Sequence, residues 1–268
     1  MIRVIISMRF KKILSFVALS GLLSTAANAQ IMEVGINAGA AGYMGDLNPA
    51  NPLVFSGPSF GAFVKGNLDP YWAVGLHYNY GKIKGNDLNS SNQDFRNRGL
   101  NFSTPLNELS LQVDFNFLDY FSGGGTKNFT PYIFGGLGGV LFNPKGKYEG
   151  ETYELRYYKT EGVKYKNYAL SIPYGVGVKY RISERLGLLT QLGYRTTMTD
   201  YLDDVSGYYP LVPGDPGKNG LNLSDPPSSR QPYLKRGLQR GDFNKRDTYL
   251  FLQIGLSYTF TSDKCYAF

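Results

Sequence analysis

The sequence predicts an all-β fold, namely an eight-stranded antiparallel up-and-down transmembrane β-barrel with long extracellular loops and short periplasmic turns. Eight segments alternate apolar with small or polar residues, which is the period of a strand with two different faces. The connections between these segments alternate between long and short. After residue 29 no segment reaches the roughly 18 consecutive apolar residues of a membrane-spanning helix, so the sequence does not indicate a helical membrane protein.

The first 29 residues have the pattern of a secretory signal peptide. A basic start without acids precedes an apolar run at 13–23, and the A-x-A cleavage site Ala27-Asn28-Ala29 follows. The basic residues are Arg3, Arg9, Lys11 and Lys12. A transmembrane anchor is the alternative, but the apolar run is about half of the roughly 20 residues that a spanning helix needs. The predicted organisation is a signal peptide at 1–29 and an outer-membrane β-barrel domain at 30–268, exported to a Gram-negative cell outer membrane.

The net charge and the cysteine content limit the possible partners. Cleavage lowers the formal charge from +7 to +3, since 24 basic and 21 acidic residues remain. The high pI therefore reflects the targeting segment, and it predicts no nucleic-acid partner. Cys265 is the single cysteine of the chain, so no internal disulfide can form.

The strand predictions follow from the alternation. Strands are predicted at 32–44, 58–67, 72–83, 107–117, 131–142, 167–181, 186–197 and 247–261. The last strand is the clearest, with an apolar side chain at every second position from Leu250 to Phe260. Its length fits a tilted membrane crossing, which takes about 9–11 residues as a strand. The fifth strand is too apolar and glycine-rich for its faces to be assigned.

The connection lengths predict the orientation. Long segments follow the first, third, fifth and seventh strands, at 45–57, 84–106, 143–166 and 198–246. These four share one rim, and the short turns at 68–71 and 183–185 share the other. Outer-membrane barrels place short turns in the periplasm and long loops outside, which also puts both termini in the periplasm. A soluble β-sandwich is the alternative fold, and it would turn its apolar faces inward.

Aromatic residues near strand ends predict interfacial girdles, where an apolar ring lies beside a hydrated polar atom. The candidates are Tyr43, Trp72, Tyr80, Tyr132 and Tyr194.

Alternation also predicts the side chains of the lumen. They are Glu33, Lys65, His77, Glu108, Gln112, Asp114, Lys179, Arg181, Gln191, Arg195 and Gln253. An eight-stranded barrel has an interior only wide enough for side chains, so it is not a diffusion pore. Because an unpaired buried charge is costly, the acids and bases of the lumen are predicted to pair.

Residues with catalytic or metal-binding chemistry are few. His77 is the single histidine, and no serine-nucleophile motif accompanies it, so no catalytic residue is predicted. Asp200, Asp203 and Asp204 are hard ligands that could bind a cation, but their spacing matches no calcium loop, and a loop cap on the seventh strand is the alternative. No cofactor and no metal site is predicted. The proline-rich tract 212–232 is interpreted as an external loop.

Several strings give the chain a family resemblance. They are YMGDLNP at 43–49, the segment 96–117, the segment 129–144, TEG at 160–162, IPYGVGVKY at 172–180, RTTMTDYLDDVSGYY at 195–209 and the segment 240–260. On these strings the chain resembles the PorG-type outer-membrane protein of the type IX secretion system of Bacteroidetes-like bacteria. The strings contain no catalytic motif, so the resemblance implies no active site.

The resemblance implies a non-enzymatic barrel that binds outer-membrane lipids and associates with a periplasmic ring lipoprotein and its partner. Topology then places the docking surface on the periplasmic turns and tail, at Asp69, Pro70, Ser183, Glu184, Arg185, Asp263, Lys264 and Cys265. Two alternatives stay open. One is an autonomous structural or adhesive barrel that displays its loops, and the other is an outer-membrane enzyme centred on His77.

Overall fold

The computed structural model describes residues 31–49, 51, 53–120, 126–211, 223–224, 236–242 and 246–260. The predicted signal peptide at 1–29 and the docking candidates Asp263, Lys264 and Cys265 lie outside these residues. No helix of the described part of the chain is long and apolar enough to span a membrane.

Ten strands make up the described structure. They are β1 (Ile31–Met44), β2 (Phe55–Asn67), β3 (Trp72–Asn86), β4 (Asn101–Asn116), β5 (Phe129–Phe142), β6 (Lys145–Tyr148), β7 (Glu151–Glu154), β8 (Tyr168–Arg181), β9 (Leu186–Thr197) and β10 (Thr248–Phe260). One short α-helix, α1 (Gln93–Arg98), and two 3-10 turns, Asp87–Asn89 and Leu155–Tyr158, lie in the long loops.

Eight of these strands close into an antiparallel barrel. Each pairs with its neighbours in the order β1, β2, β3, β4, β5, β8, β9, β10, and β10 returns to β1 from Met32↔Phe260 to Met44↔Thr248. The β6–β7 hairpin pairs with the barrel at Ser103↔Lys145, and Asn101 of β4 exchanges two hydrogen bonds with the backbone of Lys147. Closure leaves no free edge in the wall, so the backbone groups of every barrel strand have partners on both sides. The predicted eight-stranded antiparallel barrel is confirmed.

The observed strand ends differ from the predicted ones mainly in β3 and β4. These two strands continue to the pair Asn86↔Asn101, so β4 begins six residues before the predicted start at 107. Phe102, Thr104 and Leu106 extend the buried face of β4. Pro105 argues against a strand in the sequence because it has no amide to donate, yet β4 continues through it opposite Lys82.

The outer face of the barrel is apolar. Leu76, Leu109, Leu137, Leu170 and Ile254 point away from the interior, and Leu137 and Leu170 are 71% and 68% exposed. A continuous exposed belt of this kind is the surface that a transmembrane barrel presents to lipid. The alternative of a soluble sandwich is wrong, because the apolar faces point outward and enclose no core between two sheets.

The aromatic residues divide between the two faces. Trp72, Tyr80 and Tyr194 face outward, and the Trp72 ring lies 4.8 Å from that of Phe115 near the short-turn rim. The prediction is wrong for Tyr43 and Tyr132, which are both only 1% exposed inside the barrel. Each is an even number of residues from buried interior positions of its own strand, so the strand period turns it inward.

The structure assigns the faces of β5. Tyr132, Phe134, Val140 and Phe142 are buried, whereas the side chains between them are exposed. Glycines at 136 and 138 continue the inward face without filling it, which hid the alternation in the sequence.

The interior has two zones. Charged and amide side chains occupy the half near the short turns. Near the long loops the interior is an apolar cluster, and its buried members are Ala41, Tyr43, Leu47, Ile83, Leu100, Phe102, Leu106, Val140, Phe142, Leu202, Val205, Tyr249 and Phe251. Four of these, Leu47, Leu100, Leu202 and Val205, come from loops, so loop residues complete the upper core.

Candidate functional site

Two groups of polar side chains are candidates for function: the lumen network, inside the barrel wall, and a cap formed by the long loops. In the lumen network, Asp114 of β4 is the central acid. One of its oxygens accepts from Lys65 Nζ of β2 at 2.7 Å and from Lys179 Nζ of β8 at 2.9 Å. Lys179 also donates to Asn116 at 3.1 Å. The three charged groups are at most 3% exposed, so two buried ammonium groups share one buried carboxylate.

A chain of hydrogen bonds crosses the lumen. Tyr132 donates to Gln191 at 3.2 Å, Gln191 to Gln253 at 2.9 Å, and Gln253 to Asn79 at 3.3 Å. Asn79 in turn donates to Glu108 at 3.4 Å. The chain therefore connects β5, β9, β10, β3 and β4 through side chains and supports the backbone pairing of the wall.

Glu108 is the second acid of the lumen network. It accepts a hydrogen bond from the phenol of Tyr249 and lies 3.4 Å from Arg195 Nε. Ser110 donates to the same carboxylate at 3.3 Å and accepts from Gln112 at 2.8 Å. Arg195 is fully buried and lies over the ring of Phe251, with 4.5 Å between guanidinium carbon and ring centroid.

The structure places the other predicted lumen residues as follows. Glu33 is buried and accepts from Asn67 at 3.3 Å. His77 is buried and stacks on Phe63 with 5.3 Å between centroids, and both ring nitrogens lack a hydrogen-bond partner among the described residues. Near-zero exposure of the lumen side chains means that the interior is packed with them.

Arg181 does not belong to the lumen network. It is half-buried at the short-turn end of β8, where it donates to Asn128 at 2.6 Å and 3.1 Å. The prediction by alternation is wrong here because Arg181 is the last residue of its strand and the barrel interior ends there.

The four long loops meet over the mouth of the barrel. We call them L1 (45–54), L2 (87–100), L3 (143–167) and L4 (198–247). The cap consists of the buried or half-buried polar residues that join them, together with Tyr43 at the end of β1: Asp46, Asp87, Arg98, Thr160, Glu161, Tyr165, Asp203, Asp204, Arg240, Asp242 and Asp247.

Arg98 joins three loops of the cap. It ends α1, which begins after the N-cap Asn92 and is followed by Gly99 in the left-handed conformation (φ 68°). Its guanidinium donates twice to Asp87, at 2.7 and 2.8 Å. It also donates to the carbonyl of Arg240 in L4 at 2.6 Å and to that of Asp46 in L1 at 3.1 Å. A planar guanidinium with five donors is suited to this arrangement, and a lysine is not.

Arg240 continues the connection into L3. It donates to Glu161 at 3.1 Å, and it reaches the carboxylate of Asp204 at 3.5 Å. Asp204 accepts from Thr160 at 2.6 Å and from Tyr165. Although burial lowers the pKa of Arg240, Asp204 and Glu161 raise it overall, so the guanidinium stays charged.

Tyr43 fastens the cap to the barrel wall. Its phenol donates to Asp203 and lies 3.1 Å from an oxygen of Asp247. The other Asp247 oxygen accepts from the Leu202 amide at 2.8 Å, and Thr104 of β4 donates to the Leu202 carbonyl at 2.6 Å. These bonds hold the side chain of Leu202, which is fully buried, in the apolar upper core.

Burial raises the pKa of several cap carboxyls. The pKa of Asp203 and of Asp247 lies well above the ordinary value, because both are buried beside other acids. Burial, and to a lesser degree neighbouring acids, raise the pKa of Asp200 to about 7 and that of Asp46 to about 6. Asp46 and Asp200 therefore change charge near neutral pH, so the net charge of the cap depends on pH in that range.

The strings that carry the family resemblance converge in this cap. GDLNP contributes Asp46, TEG contributes Glu161, and TDYLDDVS contributes Leu202, Asp203 and Asp204. Arg98 comes from the segment 96–117 and Arg240 from the segment 240–260. Sequence reasoning assigned TDYLDDVS to a loop cap as one alternative but did not find its partners, because they lie in other loops.

The cap does not form a metal centre in the described part of the chain. No group of three or more histidine, cysteine or acidic side chains there is arranged to hold a metal ion. Asp203 is instead bonded to Tyr43 and Asp204 to Thr160 and Tyr165.

The docking candidates that the structure describes share the short-turn rim, with the two turns on opposite sides of the barrel. Asp69 and Pro70 form the β2–β3 turn, where one Asp69 oxygen accepts from the amides of Tyr71 and Trp72, each at 2.7 Å. Ser183, Glu184 and Arg185 form the β8–β9 turn and are exposed. The ends of the barrel wall at Ile31 and Phe260 lie on the same rim, so any continuation of the chain starts beside these turns.

Comparison with known proteins gives one family and several solved structures. The family model described as a domain of unknown function (DUF6089) matches residues 11–210. No curated protein matches the chain.

The similar solved structures are small barrels of low sequence identity. A major outer membrane protein from Thermus thermophilus is 15% identical, with a TM-score of 0.44 over 87% of this chain and 100% of that chain. Neisserial surface protein A is 11% identical, with a TM-score of 0.42 over 85% and 97%. The outer membrane protein OprG from Pseudomonas aeruginosa is 12% identical, with a TM-score of 0.41 over 87% and 98%.

Proposed function

We propose that this chain, which belongs to the family described as a domain of unknown function (DUF6089), is a non-enzymatic outer-membrane component of the type IX protein secretion system. In this role it associates with the periplasmic lipoprotein ring and links it to the outer membrane. The resemblance of its strings to PorG-type proteins supports the secretion role, and the barrel supports the role of an anchor.

The observation that carries the proposal is the packed and covered interior. Lys65, Asp114 and Lys179 fill the lower lumen, and Leu202 occupies the mouth beneath the cap. A barrel filled in this way offers no wide path for a solute or a secreted chain. Its apolar belt supplies membrane attachment, so the function resides in the surfaces that it presents on either side.

The short-turn rim is the docking surface of this proposal. Ser183, Glu184 and Arg185 are exposed there, and neither turn contributes a side chain to the packed interior. The β2–β3 turn is rigid, because Asp69 holds two backbone amides of its own turn. A short rigid turn gives a partner a defined surface at a low cost in conformational entropy.

Site-specific photo-crosslinking in cells tests the docking surface. A photo-reactive phenylalanine analogue replaces Ser183 or Glu184 on the short-turn rim, and Lys164 in L3 serves as the control position on the opposite rim. Capture of a periplasmic ring lipoprotein from 183 or 184, but not from 164, supports the proposal. Capture from neither short-turn position contradicts it.

A deletion strain tests the secretion role separately. In a strain that also lacks paralogues, loss of the chain should block export of secreted cargo, and expression of the full chain should restore it. Normal export in that strain would contradict a role in secretion.

Display of the long loops is the second candidate function, and the cap favours it because it holds four loops in one arrangement. Removal of all of 198–246 would uncover the upper core, since Leu202 and Val205 belong to it. A deletion confined to 225–235 avoids these residues. Unchanged surface adhesion after that deletion would remove the support for display. The enzyme alternative would end with a fully active His77→Ala variant.

A further inference from the structure

The outer surface of the barrel changes character just beyond the apolar belt on the long-loop side. On β3, Leu76, Tyr78 and Tyr80 face outward and are followed at the same two-residue spacing by Lys82 and Lys84. The Tyr78 phenol donates to Asn107 of β4 at 2.8 Å, which marks the change from apolar to polar surface.

The register places further polar side chains beside these lysines. Lys84 pairs with Ser103 of β4, and Ser103 pairs with Lys145 of β6. Directly opposed residues of antiparallel strands share a face, so Lys84, Ser103 and Lys145 lie on one side of the sheet. Lys147 is two residues beyond Lys145 and lies on that side as well. These residues line part of a groove of about 1340 Å³ between L1, L2 and the β6–β7 hairpin.

Among the described residues, three of these lysines form no salt bridge. Lys145 lies 3.2 Å from Glu154, but no salt bridge among the described residues involves Lys82, Lys84 or Lys147. An unneutralised row of cations on the outside of a barrel has a field that attracts anions from its surroundings.

The height of the row above the belt decides which anion meets it. A strand rises about 3.3 Å per residue, so Lys82 and Lys84 lie roughly 5 and 10 Å beyond Tyr80 after allowance for strand tilt. Lipid headgroups extend roughly 5–8 Å beyond each side of the hydrocarbon core. Lys82 therefore lies within the depth of the headgroups, and Lys84 lies at their outer edge, from which its long side chain can extend back toward them. Lys147, whose backbone is hydrogen-bonded to Asn101 of β4, lies further out on the same side of the wall.

We propose that the basic row Lys82, Lys84 and Lys147 binds the anionic phosphate headgroup of a lipid in the leaflet on the long-loop side. Lys82 and Lys84 border the bilayer, which is why a membrane lipid and not a soluble phosphate is the ligand. The hydroxyl of Ser103 adds a donor between the cations of β3 and β6. This inference rests on the placement of the barrel in a membrane and not on a role in secretion.

Native mass spectrometry of the purified, detergent-solubilised full chain tests the proposal. The probes are phosphatidylglycerol and phosphatidylcholine with the same acyl chains, and glycerol phosphate is the soluble competitor. The variant Lys82→Gln/Lys84→Gln is compared with Lys127→Gln/Lys164→Gln, which removes two exposed lysines from other places on the surface. Each lysine near an anionic lipid contributes about fivefold in affinity, so we expect about thirtyfold weaker phosphatidylglycerol binding by the first variant only.

Each outcome decides the question. A preference for phosphatidylglycerol that the first variant loses and the control variant keeps supports the proposal. Equal retention of both lipids by the unmodified chain, an equal loss in both variants, or displacement of lipid by glycerol phosphate overturns it. If the double variant fails to fold, Lys147→Gln alone carries the test, with an expected loss of about fivefold. The lipid measurement does not involve the ring lipoprotein, so its failure is distinct from failure of the secretion proposal.

Discussion

The phenol of Tyr43, at the end of the first barrel strand before L1, donates a hydrogen bond to Asp203, which lies 160 residues later in the chain. This bond attaches L4 to the barrel wall, and the nearby carboxylate of Asp247 shares the same phenol at 3.1 Å. Tyr43 thus connects the start of the barrel, the plug residue Leu202 and the strand that closes the barrel.

Removal of the Tyr43 hydroxyl should loosen the cap. Tyr43→Phe leaves two buried carboxyls without their shared donor, which we expect to cost about 1–3 kcal/mol in local stability. The measurement is hydrogen exchange of residues 199–206, which should become faster. Tyr78→Phe is the matched control, because its phenol bonds to Asn107 on the exposed outer face. Equal exchange in the two variants would show that Tyr43 does not fasten L4.

Arg98 should be irreplaceable by lysine. Arg98→Lys keeps the charge but loses the paired bonds to Asp87 and the bonds to two backbone carbonyls. Because a lost hydrogen bond to a charged group costs about 1.5–3 kcal/mol, protease cleavage in the long loops should accelerate at least tenfold. Arg96 lies on the same helix, and its side-chain hydrogen bonds to described residues stay within L2, so Arg96→Lys should leave cleavage unchanged.

Asp114 should be essential for the stability of the barrel. Asp114→Asn leaves Lys65 and Lys179 as adjacent buried cations, and we expect a loss of about 3–5 kcal/mol in the free energy of unfolding. Urea unfolding in detergent or vesicles measures it. Asp94→Asn in exposed L2 is the control. A double variant with Lys65→Met should recover part of the loss, and no recovery would contradict the paired-charge interpretation.

A charge in the apolar belt should prevent assembly. Leu252→Arg places a cation on the outer face of β10 near the bilayer midplane, where it costs about 2–4 kcal/mol. The measurement is the folded fraction in membranes, from the mobility of unheated samples on a gel. Leu238→Arg is the matched control, because this leucine is exposed in L4 outside the belt. Normal assembly of the Leu252 variant would contradict the position of the belt.

The cap should loosen as the pH rises. The pKa of Asp46 and Asp200 in the folded chain is about 6 and about 7, above the ordinary value of 3.8, chiefly because of burial. When folding raises the pKa of a carboxyl, the protonated carboxyl stabilises the folded cap. This stabilisation is complete at pH values below the ordinary pKa and is lost as the pH rises through the pKa of the folded chain. The affected window is therefore about pH 4 to 7.

Hydrogen exchange checks this sign. After correction for intrinsic rates, exchange in L1 and in 199–206 should be faster at pH 8 than at pH 5. The neighbouring charges are Arg98, Asp242 and Glu161, and Arg98 opposes the rise at Asp46. Asp200→Asn should remove the part of the change near pH 7. Slower exchange at pH 8 in the unmodified chain would show that ionisation tightens the cap.

Parts of the candidate sites could be predicted from the sequence. Ten of the eleven predicted lumen residues lie inside the barrel, since alternation is a property of each strand alone. Arg181 is the exception to the alternation, because it is the last residue of its strand. The partners within the lumen, such as Glu108 and Tyr249, could not be predicted because they lie on strands that meet only across the closed barrel.

The sequence by itself determined the number of barrel strands, their two faces and the shared rim of the long connections, because these depend on local periodicity and on loop length. Only the tertiary structure decided that Tyr43 faces inward to bind Asp203, that Arg98 meets the backbone of Arg240, and that Leu202 plugs the mouth. Loops have no repeating period, and their contacts form between residues that closure of the barrel brings together. For this reason, only the three-dimensional structure shows that the strings behind the family resemblance meet in the cap.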